Sequence, residues 1–585
     1  MNKNYRVIWN HSQGNYVVTS ELARGKVKSS RSSTARRLTA GCVATAFMAL
    51  ASVGIIQPAL AAPAYGEYAS GAGNIINIQD KDVATSDDSA HALFVEKGAT
   101  AHSNNMNFTT SGKKAFGVNV DGAGSSIDIR GGTITTTGAQ GYGLAAGNGG
   151  SIKAADVVIN SAGFGLYADK ATINGKNLTV NSQGYGANAI GSGAVIEVSD
   201  SRFTVAGAKS YAVLAENGGK TTSHNSHYVA TGDNAFGAWV NTGSELNVFG
   251  GSITMTGKNS TGMLAKNGGI LNAENVSIDS QGVGVQASNK STISLKDVQV
   301  KSVGHGIYAN QSVTDAENMQ INAGGYGVWA KSEGARININ NSTISSGAHF
   351  GGAVTASSKG LATVHNSKLI ALDSNSSGIY ADYSGQVNAE NVDIEILGAG
   401  DGAGSSYNGI TYIINSRIIS HSGGTAFNVG SGSVLTADNV FAEMDNNNNS
   451  EKLTNAISAA NAYISSNGPT ININNSFLHI KGNNAAGIVT SYTKGEVNLN
   501  NTILTVDNGP AIVAYNQALT TVNLDNSLLS GTTLLETGLD PYGEDAGADV
   551  RGITVNASNH SQLQGDANID RSKTQASSVS LDSGS

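Results

Sequence analysis

An aromatic residue followed by glycine recurs along this chain at intervals of 21 to 26 residues. Its clear copies are Phe116-Gly117, Tyr142-Gly143, Phe164-Gly165, Tyr185-Gly186, Phe236-Gly237 and Tyr326-Gly327. Tyr211-Ala212 keeps the aromatic, while Thr261-Gly262, Val283-Gly284 and His305-Gly306 keep the glycine; weaker copies sit at Gly352 and Gly378, and an upstream one at His91-Ala92. A fixed period of this length is the mark of a solenoid, in which each repeat exposes edges that only its neighbours can satisfy. Between the anchors lie paired short runs in which apolar and polar residues alternate around a bend of Asn or Asp: SIKAADVVINS (151–161), ARININNSTISS (335–346), VNLNNTILTV (497–506). A period of two makes these strands, and Asn and Asp tolerate the left-handed backbone that a tight bend needs. A leucine-rich repeat would require a helical return limb, and no amphipathic helical segment is present; the calcium-binding roll would require GGxGxD, also absent. The predicted fold is all-β, a right-handed parallel β-helix with coils of about 21–26 residues.

Composition closes the alternatives. Gly numbers 74 among 585 residues but Pro only 5, which excludes collagen. A hydrophobic content of 39% excludes a disordered chain, and a single Cys excludes a disulfide scaffold.

Residues 1–61 read as an address. Eight Lys or Arg stand against one acid, Glu21; an apolar run follows from Gly41 to Ile56 and ends at Ala59-Leu60-Ala61. A basic flank, an apolar centre and a small-x-small exit make a secretory signal, with cleavage after Ala61. The run is too short to span a membrane. Upstream, Tyr5-Arg6-Val7-Ile8-Trp9-Asn10-His11 and Ser20-Glu21-Leu22-Ala23-Arg24-Gly25 resemble the extended signal peptide of Gram-negative type V secretion proteins, the autotransporters and their relatives. The resemblance implies contact with the inner-membrane export machinery and delayed export. Cys42 lies within this segment and precedes the apolar run, the wrong order for a lipid anchor, so the mature chain is free of cysteine. Removing residues 1–61 takes away eight bases and one acid and moves the formal charge from −8 to −15. Neither nucleic acid nor an anionic membrane surface is therefore expected as a partner.

The repeat pattern over 89–585 resembles the passenger of pertactin-like autotransporters, of the pectin-lyase-like class, with 62–88 as an N-terminal cap or linker. The membrane barrel that ends such proteins would need alternating strands of about ten residues; none follows here, so a truncated gene, a partial record or a partner-dependent protein is expected. The resemblance implies export: display at the cell surface or outer membrane, or secretion, in a full-length parent, and the periplasm if the chain is complete.

Candidate chemistry is sparse. Asp582-Ser583-Gly584 matches a protease nucleophile motif over three residues only, with no His-bearing partner motif before it. His224 and His227 fall three apart on a strand, which turns them to opposite faces and away from one metal ion. Asp445 to Asn449 reads as a loop insertion. No cofactor is expected. β-Helical polysaccharide lyases and hydrolases need charged residues clustered on adjacent coils, and the strands here expose mainly Ser, Thr, Asn and Gly. One positive feature stands out. The first residue after each anchor is apolar (Leu144, Leu166, Val213, Ile307, Val328) and shares parity with the aromatic before the anchor, so both are expected to face the core. The second residue has opposite parity and points outward; this column includes Tyr167, Trp239, Tyr308, Trp329 and Tyr380, a candidate file of aromatic ligand contacts. The expected function is a non-catalytic surface passenger, an adhesin or interaction rod meeting a host-cell or matrix ligand (protein or glycan) or other cells. The alternatives are a β-helical carbohydrate-active enzyme and a remnant that is exported but not displayed.

Overall fold

The computed structural model describes residues 65–447, 453–460, 467–492, 494–537 and 549–585, together with the backbone of 5–10 and 15–20. The chain divides into two units, Met1–Ala62 and Pro63–Ser585. In the first, Tyr5–Asn10 pairs antiparallel with Asn15–Ser20. The cleavage residues Ala59 and Ala61, and Cys42, lie outside the described residues.

The second unit is a three-sheet parallel β-helix of about twenty coils, with no helix among the described residues. At ~4.8 Å per coil the stack is on the order of 95 Å tall. One coil shows the plan: Leu144–Gly147 forms a strand of sheet A, Ser151–Ala155 of sheet B and Val158–Ser161 of sheet C. They pair in register with Leu166–Asp169, Thr172–Lys176 and Thr179–Ser182 of the following coil. Because register is kept, like stacks on like: Leu144, Ala146, Ile152 and Ile159 point inward and are buried, each above a residue of the same kind.

The B–C corner is a single residue in the left-handed region, usually Asn or Asp: Asp156 at φ 59°, Asn366 at 50°, Asn501 at 49°. These side chains form an amide ladder along the stack. Asn391 Nδ2 donates to Asn366 Oδ1 at 3.2 Å and Asn501 Nδ2 to Asn475 Oδ1 at 2.8 Å. Just past the corner, hydroxyls satisfy amides that the turn leaves without a ladder partner. The N–H of Ser342 donates to Ser367 Oγ at 3.0 Å, and that of Thr502 to Ser527 Oγ at 2.9 Å.

The stack begins earlier than the repeat pattern suggests. The segment 62–88, read from sequence as a cap or linker, contains the strands Glu67–Ser70, Ile75–Gln79 and Asp82–Thr85, each paired parallel with the next coil. Its anchor is Tyr65-Gly66, and a side chain on Gly66 would overlap Val83, as at the anchors that follow.

Candidate ligand-contact surface

The aromatics before the anchor glycines do not enter the core. The turn from sheet C to sheet A breaks the strand alternation, and Phe116, Tyr142, Phe164 and Tyr185 stand half-buried at the C–A corner. There they stack ring on ring: His91–Phe116 at 4.8 Å, Phe116–Tyr142 and Tyr142–Phe164 at 4.6 Å with 3° between planes, Phe164–Tyr185 at 4.4 Å. The file continues through an edge-on contact, Tyr185–Tyr211 at 4.8 Å and 88°, to Phe236 at 5.1 Å. Tyr65 extends it below, 5.6 Å from His91. Sequence parity thus placed the residue after the anchor correctly, since Leu144 and Val328 are fully buried, and misplaced the aromatic before it.

The outward column packs against this file. Tyr167 lies 5.2 Å from Tyr142, and Trp239 stacks on Tyr211 at 4.3 Å and 15°. Further along, Trp329 stacks on Tyr326 at 4.6 Å and meets Tyr308 at 5.1 Å; its Nε1 donates to Ser357 Oγ at 2.8 Å, and Lys331 Nζ sits 4.7 Å from its ring centroid. Tyr380 shares a hydrogen bond of 2.7 Å with Ser406 Oγ. All five side chains are half-buried, neither free platforms nor core. Tyr167 and Trp239 belong to one aromatic cluster, Tyr308 and Trp329 to a second, and Tyr380 stands apart.

Burial governs the titration of this surface. It pushes the Tyr211 and Tyr380 phenols up to about 12 and raises Tyr167 as well. It lowers His91 to about 4 and lowers His305. Both histidines stand in the aromatic column and use Nδ1 in the same way, accepting the N–H of the next aromatic, Phe116 at 2.9 Å and Tyr326 at 3.2 Å. Only a neutral ring can accept there. Farther up, burial raises Asp382 and Asp401 to about 6; Asp401 accepts from Asn428 Nδ2 at 2.9 Å.

The remaining motifs resolve into local structure. Asn225, at φ 48°, turns the chain between His224 and His227, so both histidines are exposed on either side of a corner; the expectation of opposite strand faces is corrected by that turn. His224 stacks on Phe249 at 5.3 Å and His227 bonds Ser252 Oγ at 2.9 Å. Asp582 closes a turn, accepting from Gly584 N at 3.1 Å and Ser585 Oγ at 2.7 Å. Asp445 accepts a 2.7 Å contact from His421. Among the described residues, no three His, Cys, Asp or Glu side chains gather as metal ligands would.

Two features escaped sequence reasoning. Tyr383 and Tyr407, in left-handed turn positions of successive coils, stack at 4.8 Å and 5°. Phe441 and Phe477 stack at 5.6 Å beside the amide ladder. In both, the signal is an aromatic that follows a polar residue at the same position of the preceding coil, visible only once coils are aligned.

Residues 1–52 match the family model for the extended signal peptide of the type V secretion system, and residues 281–442 match that for a right-handed β-helix region. The chain carries the extended signal peptide of the type V secretion system ahead of a right-handed β-helix, the order of parts expected of an exported passenger. The passenger is therefore exported, to the cell surface or by secretion. Its ladders continue the matched region in both directions, from Glu67 to Leu581. Among solved structures, the passenger is similar to a chain of the Vag8–C1 inhibitor complex, with 14% identity and a TM-score of 0.37, over 87% of this chain and 100% of that one. No curated protein matches it.

Proposed function

We propose that the passenger works without catalysis, as an adhesin or structural interaction rod whose side meets a ligand on a host cell, in the matrix or on another cell. The observation that carries this reading is the aromatic file at the C–A corner: rings in contact coil after coil from Tyr65 to Trp239, all but His91 partly exposed. Rigid rings offer contact area at little entropic cost, as recognition surfaces require.

The test is display of the passenger on a bacterial surface behind a translocator barrel, with adherence measured to cultured cells and matrix proteins. Adherence that falls several-fold in a Tyr167→Ala/Trp239→Ala variant, at equal surface labelling, supports the reading. Adherence unchanged by the variant, or reducing sugar released from polysaccharides by the purified passenger, overturns it.

A further inference from the structure

The B–C corner is concave, and over seven coils, from Asn391 to His560, it widens into a groove of about 920 Å³. At ~4.8 Å per coil its floor is on the order of 29 Å long. One wall is the first residue of each sheet C strand. Preceding coils carry Lys368, Asp393 and Arg417 there, and the last two form an ion pair of 3.6 Å. The next four carry Phe441, Phe477, Ile503 and Leu528, after which the column returns to Gln562. Phe441, Phe477 and Ile503 keep 38%, 37% and 41% of their surface exposed, so the core does not call for them. Outside the groove the only apolar member of this column among the described residues is Val158, alone between Thr133 and Thr179; a run of three exposed apolar residues followed by the half-buried Leu528, confined to the groove, points to something that covers it.

The floor is the amide ladder. Asn475 donates to Asp438 and accepts from Asn501; Asn501 donates to Asn475 and accepts from Asn526. Each amide has two N–H groups and two oxygen lone pairs, so each retains one donor and one acceptor for a ligand. Between Asn439 and Leu528 no charged side chain lines the groove.

We propose that this groove binds a linear, neutral glycan, with successive sugars set on successive coils. Amides that donate and accept beside aromatic and aliphatic walls suit hydroxyl-bearing rings with apolar faces. The acidic passenger repels polyanionic chains. An extended pyranose chain advances by about one coil per sugar and keeps phase with the ladder, whereas a peptide strand along the axis repeats every ~6.6–6.8 Å and loses it. The site is separate from the aromatic file, and either can fail without the other.

Titration calorimetry of the full mature passenger with β-1,4-linked hexamers of glucose and of N-acetylglucosamine tests the proposal. At least one hexamer binds, more tightly than its dimer. Phe477→Ser/Ile503→Thr, which installs residue types that other coils carry at this position, weakens binding at least tenfold with an unchanged unfolding midpoint, and Val158→Thr, in the same column but outside the groove, leaves it unchanged. Failure of both hexamers to bind, or binding that survives the double variant, overturns the proposal. So does a passenger that dimerises in sedimentation velocity through the same residues, which would make the groove an interface between copies.

Discussion

A Cβ built on Gly402 would lie 2.6 Å from Cγ2 of Ile418, closer than carbon atoms pack. The same relationship holds along the stack: the anchors Gly117, Gly143, Gly237, Gly262, Gly327 and Gly378 each face the Cγ2 methyl of an Ile in sheet C of their own coil. Where the anchor is alanine, the sheet C residue lacks that methyl: Ala92 goes with Phe108, Ala212 with Tyr228, Ala426 with Ala442, and Ala353, which the register puts in the anchor place expected at Gly352, with Leu369. Gly186 with Phe203 and Gly487 with Leu504 keep glycine without a β-branched neighbour. None of these anchors has a positive φ, so glycine serves here to let chain approach chain.

Gly237→Ala should therefore destabilise the passenger by about 1–3 kcal/mol through overpacking. Adding Ile253→Leu removes the Cγ2 methyl but not the close approach to the Gly262 carbonyl oxygen at 2.5 Å, and should recover part of the loss. Denaturant unfolding followed by intrinsic fluorescence measures both. A double variant no more stable than Gly237→Ala would refute the pairing.

The corner asparagines separate backbone from side chain. Asn501→Ala places a side chain with no local hydrogen bond at φ 49° and should cost about 1–2 kcal/mol. Asn501→Gly frees the backbone and loses only the ladder bonds, so it should cost less. Equal losses in chemical denaturation would show that the φ angle is not what selects asparagine.

His91 makes the N-terminal coils acid-sensitive. Its folded pKa is lowered to about 4, below the ordinary value of about 6.5, so its contribution is present above pH ~6.5 and is lost as pH falls toward 4. Hydrogen exchange around Phe116 should accelerate over that window. His91→Phe, which keeps the ring stack, should flatten the response.

Asp401 acts with the opposite sign. Its pKa is raised to about 6 by burial, against the hydrogen bond from Asn428. A raised folded pKa gives stability that is complete below the unfolded value of about 4 and declines as pH rises through 6. Asp401→Asn retains an acceptor for Asn428 and should raise the unfolding midpoint at pH 7.5 while giving no gain at pH 4. A gain that is the same at both pH values would rule out titration as its origin.

The stacked rings have a local cost of removal. Phe164 lies between Tyr142 and Tyr185 at 4.6 and 4.4 Å. Phe164→Ala should cost about 2 kcal/mol, less than for a fully buried ring, and Phe164→Tyr should be near neutral. Limited proteolysis of the coils around Gly165 reads the difference.

Much of this was legible in the chain. Ladder register, the inward column of Leu144 and Val328, and the bends at Asn341 and Asn501 follow from strand period and turn chemistry. What misled was the turn itself: Phe116 and Tyr142 share parity with the core column, but parity carries no meaning across a turn. The first coil was missed because Tyr65-Gly66 lies so near the export signal. The Phe441–Phe477 stack was hidden by an interval of 36 residues between its two members, longer than the 21–26 of the repeat, which puts them out of phase on the page and side by side in space.

Because each anchor and its sheet C partner, such as Gly237 and Ile253, fall within the same winding, their steric agreement travels with one contiguous stretch of gene. Whole windings can therefore be duplicated, deleted or exchanged between relatives when the breakpoint falls just ahead of the anchor, and the rod can change height over generations without relearning how to fit.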